Sequence, residues 1–123
     1  MTDPTFTTTV IAGHGVGRLL GFPTLNLVIP PGFTYPHGIY AGWVTIKKKS
    51  YMGAFHFGPV PTFSRPEPSL EVFILDTVLS RPPLSLTIQL VKRLRDVKTF
   101  PTPQELSHQI QIDADQTKRL LTS

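Results

Sequence analysis

Apolar residues in this chain recur largely at every second position, in short runs cut by proline and glycine. Leu84, Leu86, Ile88 and Leu90 alternate with Ser85, Thr87 and Gln89, the period of a strand with one face buried. Thr7, Thr8, Thr9, Val10 and Ile11 are all β-branched and suit a pleated, half-buried surface. The pattern predicts strands over residues 6–12, 25–29, 38–46, 50–57, 70–75 and 84–94. Pro30-Pro31-Gly32 and Arg81-Pro82-Pro83 read as loops, because proline cannot donate into a central ladder. Lys47-Lys48-Lys49 reads as a solvated hairpin tip, and Tyr40 and Trp43 read as core residues of the third strand. The period then changes once. Thr102-Pro103-Gln104-Glu105 is a capping box with proline at the first helical position. Leu106, Ile110, Ala114, Thr117 and Leu121 follow at spacings of three and four, giving one buried stripe. Lys118 and Arg119 fall in the last turn, where cations complement the helix dipole. Six strands followed by one helix predict an all-β barrel or sandwich, plugged or flanked by the helix.

Composition narrows the class. A chain of 123 residues, 40% of them hydrophobic, fits one globular domain over 1–123 with a core of its own. No apolar run approaches the twenty or so residues that span a bilayer, and Met1-Thr2-Asp3-Pro4 carries no secretory signal. With no cysteine there is neither a disulfide framework nor a thiolate metal site. The expectation is a cytoplasmic protein without a membrane partner. Its charge is uneven: no acidic residue occurs between Asp3 and Glu67, whereas Arg18, Lys47, Lys48, Lys49 and Arg65 do. A purely cationic half favours an anionic ligand. Nucleic acid is one such anion, but the aromatic and basic interleaving of a base-stacking surface is weak, so no nucleic acid is expected.

The densest chemistry lies in Gly13-His14-Gly15-Val16-Gly17-Arg18-Leu19-Leu20-Gly21-Phe22-Pro23-Thr24-Leu25-Asn26. Glycines let backbone N–H groups wrap an anion, and Arg18 adds a fixed fork for phosphate oxygens. Thr24 and Asn26 are two apart, so on an extended segment they share a face. A hydroxyl and an amide oxygen together suit Mg²⁺, which also keeps phosphates and waters. The segment is neither a Walker loop nor a dinucleotide fingerprint. Among the eight acidic residues, Glu71 stands out, since it heads the apolar run Leu70-Glu71-Val72-Phe73-Ile74-Leu75 and shares a face with Phe73 and Leu75. Desolvation there raises a carboxyl pKa and makes a better base; an ordinary rim carboxylate is the other reading. Phe55, Phe57, Phe63 and Phe100 are candidates to line a slot for a flat ring. His37 and His56 lack the spacing of zinc ligands.

Gly13, Gly15, Gly17, Arg18, Leu20, Gly21, Phe22, Pro23, Thr24 and Asn26 match the signature of the riboflavin kinase family, which the segment resembles. Further stretches are similar in order: Gly38-Ile39-Tyr40-Ala41, Gly58 with Pro61-Thr62-Phe63, the strand from Ser69 to Asp76, Leu94-Arg95 with Lys98 and Phe100, and Gln109-Ile110 with Asp113. The resemblance implies a closed six-stranded Greek-key β-barrel with a C-terminal helix. It implies transfer of a phosphoryl group from ATP with Mg²⁺ to the ribityl 5′-hydroxyl of riboflavin, giving FMN and ADP. Glu71 then becomes the catalytic base. Gly13, Gly15, Gly17, Arg18, Gly21 and Pro23 become the phosphate cradle, Thr24 and Asn26 the metal ligands, and Arg95 and Phe100 flavin contacts. The expected partners are small molecules, bound by a monomer.

This chain departs from the family pattern at Val16 and Val60, each of which replaces an arginine, at Val97, which replaces a glutamate, and at Leu25, which replaces an alanine. His56-Phe57-Gly58 stands where the family has Asn-Ile-Gly. Val16 and Val60 motivate a second reading, a flavin- or nucleotide-binding module that has lost catalysis. A barrel binding single-stranded nucleic acid through its basic half is a third.

Overall fold

The structure, a computed structural model, describes residues 4–11, 24–60, 65–77, 79 and 81–122. Its strands are β1 (Thr5–Ile11), β2 (Thr24–Leu27), β3 (Gly38–Ile46), β4 (Lys49–Val60), β5 (Arg65–Ile74) and β6 (Ser85–Arg95), followed by helix α1 (Pro103–Thr122). The strands close an antiparallel barrel in the order β1-β2-β5-β4-β3-β6, as the sequence implied. β3, β4 and β5 run as consecutive hairpin neighbours, while β2 and β6 complete the closure through β1.

Alternation sends one set of side chains inward. Leu27, Tyr40, Val44, Phe55, Phe57, Leu70, Val72, Ile74, Leu86, Ile88 and Leu90 form the packed interior, with Leu25 half-buried against it. The substitution at Leu25 is thus accommodated on the core side. Six strands leave little room inside, and two glycines provide it. A Cβ on Gly53 would lie 2.8 Å from Val72 Cγ2, and one on Gly42 would collide with the Gln89 carbonyl oxygen. Gly42 sits at a register shift between β3 and β6, where the strands approach closely. At the β3–β4 tip Lys47 and Lys48 both take positive φ, 48° and 70°, the conformation of a two-residue turn that matches strand twist. Those lysines are exposed, as expected of a solvated tip.

The outward side chains divide into two regions. Helix α1 packs on β3 and β4. Ile39 and Ala41 on β3 and Ala114 and Thr117 on the helix are buried although they lie outside the barrel interior. The helix starts where the capping box places it, with the Glu105 amide donating to Thr102 Oγ1 at 3.1 Å. An ion pair fastens it to the barrel. Arg95 Nε and Nη2 donate to the two carboxylate oxygens of Asp113 at 2.9 and 2.7 Å, and Gln109 donates to the same carboxylate at 3.0 Å. Arg95 Nη1 donates to the Asp96 carbonyl at 2.9 Å. Lys118 and Asp76 form a second, exposed pair at 2.9 Å.

Several boundaries move. β5 begins at Arg65 rather than at residue 70, because pairing with an extended β4 carries it through Pro66 and Pro68. Glu67 therefore lies on a strand, and Glu71 stands in the body of β5 rather than at its head. Trp43 is on the outer face and half-buried, its inward neighbour Val44 being the core residue. Phe55 and Phe57 fill the barrel and cannot line a slot outside it. Phe63 lies outside the described residues.

Two substitutions measure these constraints. Gly42→Ala should lower stability by about 3 kcal/mol through overpacking against backbone, read as a lower urea midpoint at unchanged slope. Asp113→Ala leaves Arg95 without its buried partner and should lose about 3–5 kcal/mol. Replacing both residues by Leu and Met should recover much of that loss.

Candidate active site

The outward row that crosses β2, β5 and β4 carries polar residues where the helix does not cover it. Leu25 and Leu27 turn inward, which turns Thr24 and Asn26 outward. On β5 the inward residues are Leu70, Val72 and Ile74, so Glu71 and Phe73 face out. The β2–β5 register then pairs Asn26 with Glu71 and Thr24 with Phe73. Directly paired residues on neighbouring strands share a face with their Cβ atoms about 5 Å apart. Thr24 Oγ1 donates to Glu71 Oε1 across the ladder at 3.5 Å, a long hydrogen bond. Three residues separated by up to 47 positions in sequence thus meet at one spot.

Burial raises the Glu71 pKa above the ordinary carboxylate value, and the hydrogen bond from Thr24 offsets this in part. A carboxyl poised in that way holds its proton more readily than an exposed one and is a stronger base when ionised. The donors beside it, a hydroxyl and an amide oxygen, are hard oxygens and fit Mg²⁺. Among the described residues no three His, Cys, Asp or Glu side chains gather that could hold a metal. A cation at this spot would complete its shell with phosphate oxygens and water, the usual manner of Mg²⁺.

β1 ends at Ile11, the pairing partner of Asn26, and β2 starts at Thr24. The chain therefore enters and leaves the glycine-rich segment beside this spot. Gly13, Gly15, Gly17, Arg18, Gly21 and Pro23 themselves lie outside the described residues, as does Val16. At the far end of the outward face Arg95 lies 5.7 Å from the Phe100 ring centroid, a cation–π contact. The Asp113 pair and the Asp96 carbonyl hold its guanidinium, so Arg95 acts first as a fastener between β6 and α1.

Sequence reasoning missed one residue of this row. His56 on β4 is the direct partner of Glu71. Burial lowers its pKa, nearby Arg95 adds to the effect, and the backbone of His56 and Pro59 offsets it in part; the imidazole is neutral at pH 7. Its Nδ1 is buried and makes no hydrogen bond of good geometry among the described residues. The signal was the departure His56-Phe57-Gly58, read only as a lost match.

Comparison with known proteins shows the family. The sequence profile of the flavokinase (riboflavin kinase) family matches residues 2–121. A bifunctional riboflavin kinase/FMN adenylyltransferase of Bacillus subtilis is 33% identical over 118 residues, covering 93% of this chain and 37% of the relative. An RNA-binding riboflavin kinase, RibR, of the same organism is 29% identical over 106 residues, covering 85% of this chain and 46% of the relative. A crystal structure described as a macrolide-efflux protein from Streptococcus pneumoniae superposes with a TM-score of 0.81 at 28% identity, covering 94% of this chain and 38% of that one. The chain spans about a third of the length of the bifunctional relatives it matches. A profile match over nearly every residue, on a barrel that brings Thr24, Asn26 and Glu71 together, places this chain in the riboflavin kinase family.

Proposed function

We propose that this chain phosphorylates riboflavin, moving the γ-phosphoryl group of ATP to the ribityl 5′-hydroxyl and releasing FMN and ADP. The observation that carries the reading is the partly desolvated Glu71 carboxylate held beside Thr24 and Asn26. A phosphoryl transfer asks the protein for neutralised phosphates, a positioned alcohol and an acceptor for its proton. Glu71 accepts the 5′-hydroxyl proton as that oxygen bonds to the γ-phosphorus and the bond to ADP breaks. Thr24, donating to Glu71, keeps the carboxylate turned toward the alcohol. The side-chain oxygens of Thr24 and Asn26 would hold Mg²⁺, which when bound supplies positive charge to the phosphate oxygens.

Backbone amides of Gly13, Gly15, Gly17 and Gly21, with Arg18 and the rigid Pro23, cradle the nucleotide phosphates in this reading. Phe100, braced by Arg95, offers an aromatic face to the flavin. The working unit is a monomeric domain, 1–123, in the cytoplasm, with small molecules as partners and neither nucleic acid nor membrane. No described helix is long and apolar enough to cross a bilayer. An intact Thr24–Asn26–Glu71 cluster favours catalysis over passive binding, because retaining a flavin does not require a desolvated base.

Incubation with riboflavin, ATP and Mg²⁺ should yield FMN, followed by chromatography. Glu71→Gln should lower kcat by about 10²–10⁴-fold with flavin binding retained; comparable turnover would remove Glu71 from the mechanism. Since the base form is the active one and burial raises its pKa, activity should fall as pH drops, with a midpoint above that of an exposed glutamate. Thr24→Val removes a hydrogen bond that opposes the shift, so the acid limb of kcat/KM should move to higher pH.

A further inference from the structure

Resting on the kinase reading, we infer that His56 is a positioning residue whose imidazole hydrogen-bonds a secondary hydroxyl of the ribityl chain and so fixes where the 5′-hydroxyl lies. The argument starts from the row across the barrel. Glu71 pairs with His56, His56 with Ile39, and Ile39 with Arg95. Neighbouring strands are about 4.8 Å apart, so His56 stands one spacing from the proposed base and two from Arg95. A ligand with its terminal alcohol at Glu71 and its ring system near Phe100 passes His56 with the linker between them. That linker carries three secondary hydroxyls.

The chemistry of the imidazole fits this neighbour. Nδ1 makes no hydrogen bond of good geometry among the described residues, and His56 as a residue is half-buried. A neutral imidazole presents one donor and one acceptor, and which nitrogen holds the proton depends on its surroundings. A hydroxyl both gives and takes a hydrogen bond, so it satisfies Nδ1 in either tautomer. A carbonyl or an N–H satisfies only one. Arg95 is no competitor for this nitrogen, being a donor already committed to Asp113 and the Asp96 carbonyl.

The test compares two flavins by fluorescence quenching in the presence of Mg²⁺ and ADP: riboflavin, and the analogue whose N10 side chain is 5-hydroxypentyl, which lacks the secondary hydroxyls. His56→Leu should weaken riboflavin binding about tenfold and leave the analogue's Kd unchanged, while His56→Asn should restore riboflavin binding. An equal loss for both flavins, or no loss for riboflavin, overturns the assignment and leaves the kinase reading standing. Failure of the unsubstituted protein to bind riboflavin overturns both. Should His56→Leu not fold, the ratio of the two Kd values in His56→Asn and His56→Phe gives the same comparison; a ratio that does not fall in the phenylalanine variant overturns the assignment.

Discussion

The pairing of β2 with β5 is the constraint on which the proposed chemistry depends. Side chains on a strand alternate between two faces, so sliding β2 by one residue would send Leu25 and Leu27 outward and Thr24 and Asn26 into the core. Leu27, 3% exposed, and Leu25 beside it resist that slip by burial. On β5 the same work is done by Leu70 and Val72, each 1% exposed. The apolar residues between the functional ones therefore set the register that brings Asn26 opposite Glu71. Packing inside the barrel determines geometry outside it.

Among the described residues the barrel interior is closely packed. Phe55, Val72 and Val44 press on Gly42 and Gly53, where even a methyl group would be too large. The proposed recognition lies on the outer face, where Glu71 sits at one end of a row and Arg95 at the other. The Arg95–Asp113 pair, with side chains 17% and 6% exposed, joins that face to α1. Losing either partner would strand a poorly solvated charge, so helix and barrel are held in one arrangement.

Much of this was legible because period-two alternation and turn chemistry are local. Leu84 to Leu90, the proline loops and the Thr102 capping box all report on their own neighbourhoods, and the elements appear there. The boundaries of β4 and β5 were not legible, since the pairing that extends them past Gly58 and across Pro66 and Pro68 is made between strands. Glu71 could be singled out for its apolar setting, yet its meeting with Asn26 and Thr24 needed the register. Nothing local to the helix sets Asp113 apart; it is Arg95, 18 positions away, that pairs with it. His56 was hidden by the same limit, because nothing local to β4 says that it borders Glu71. The glycines and Arg18 remain assigned by resemblance.

Alternation has one more effect. Each strand interleaves frame residues with working residues, so a change in the outer row need not disturb the inner one. His56 stands between Phe55 and Phe57, both sealed in the core. Such a lattice lets recognition drift by single positions while the scaffold stays put, and divergence in substrate handling can then proceed without refolding the protein.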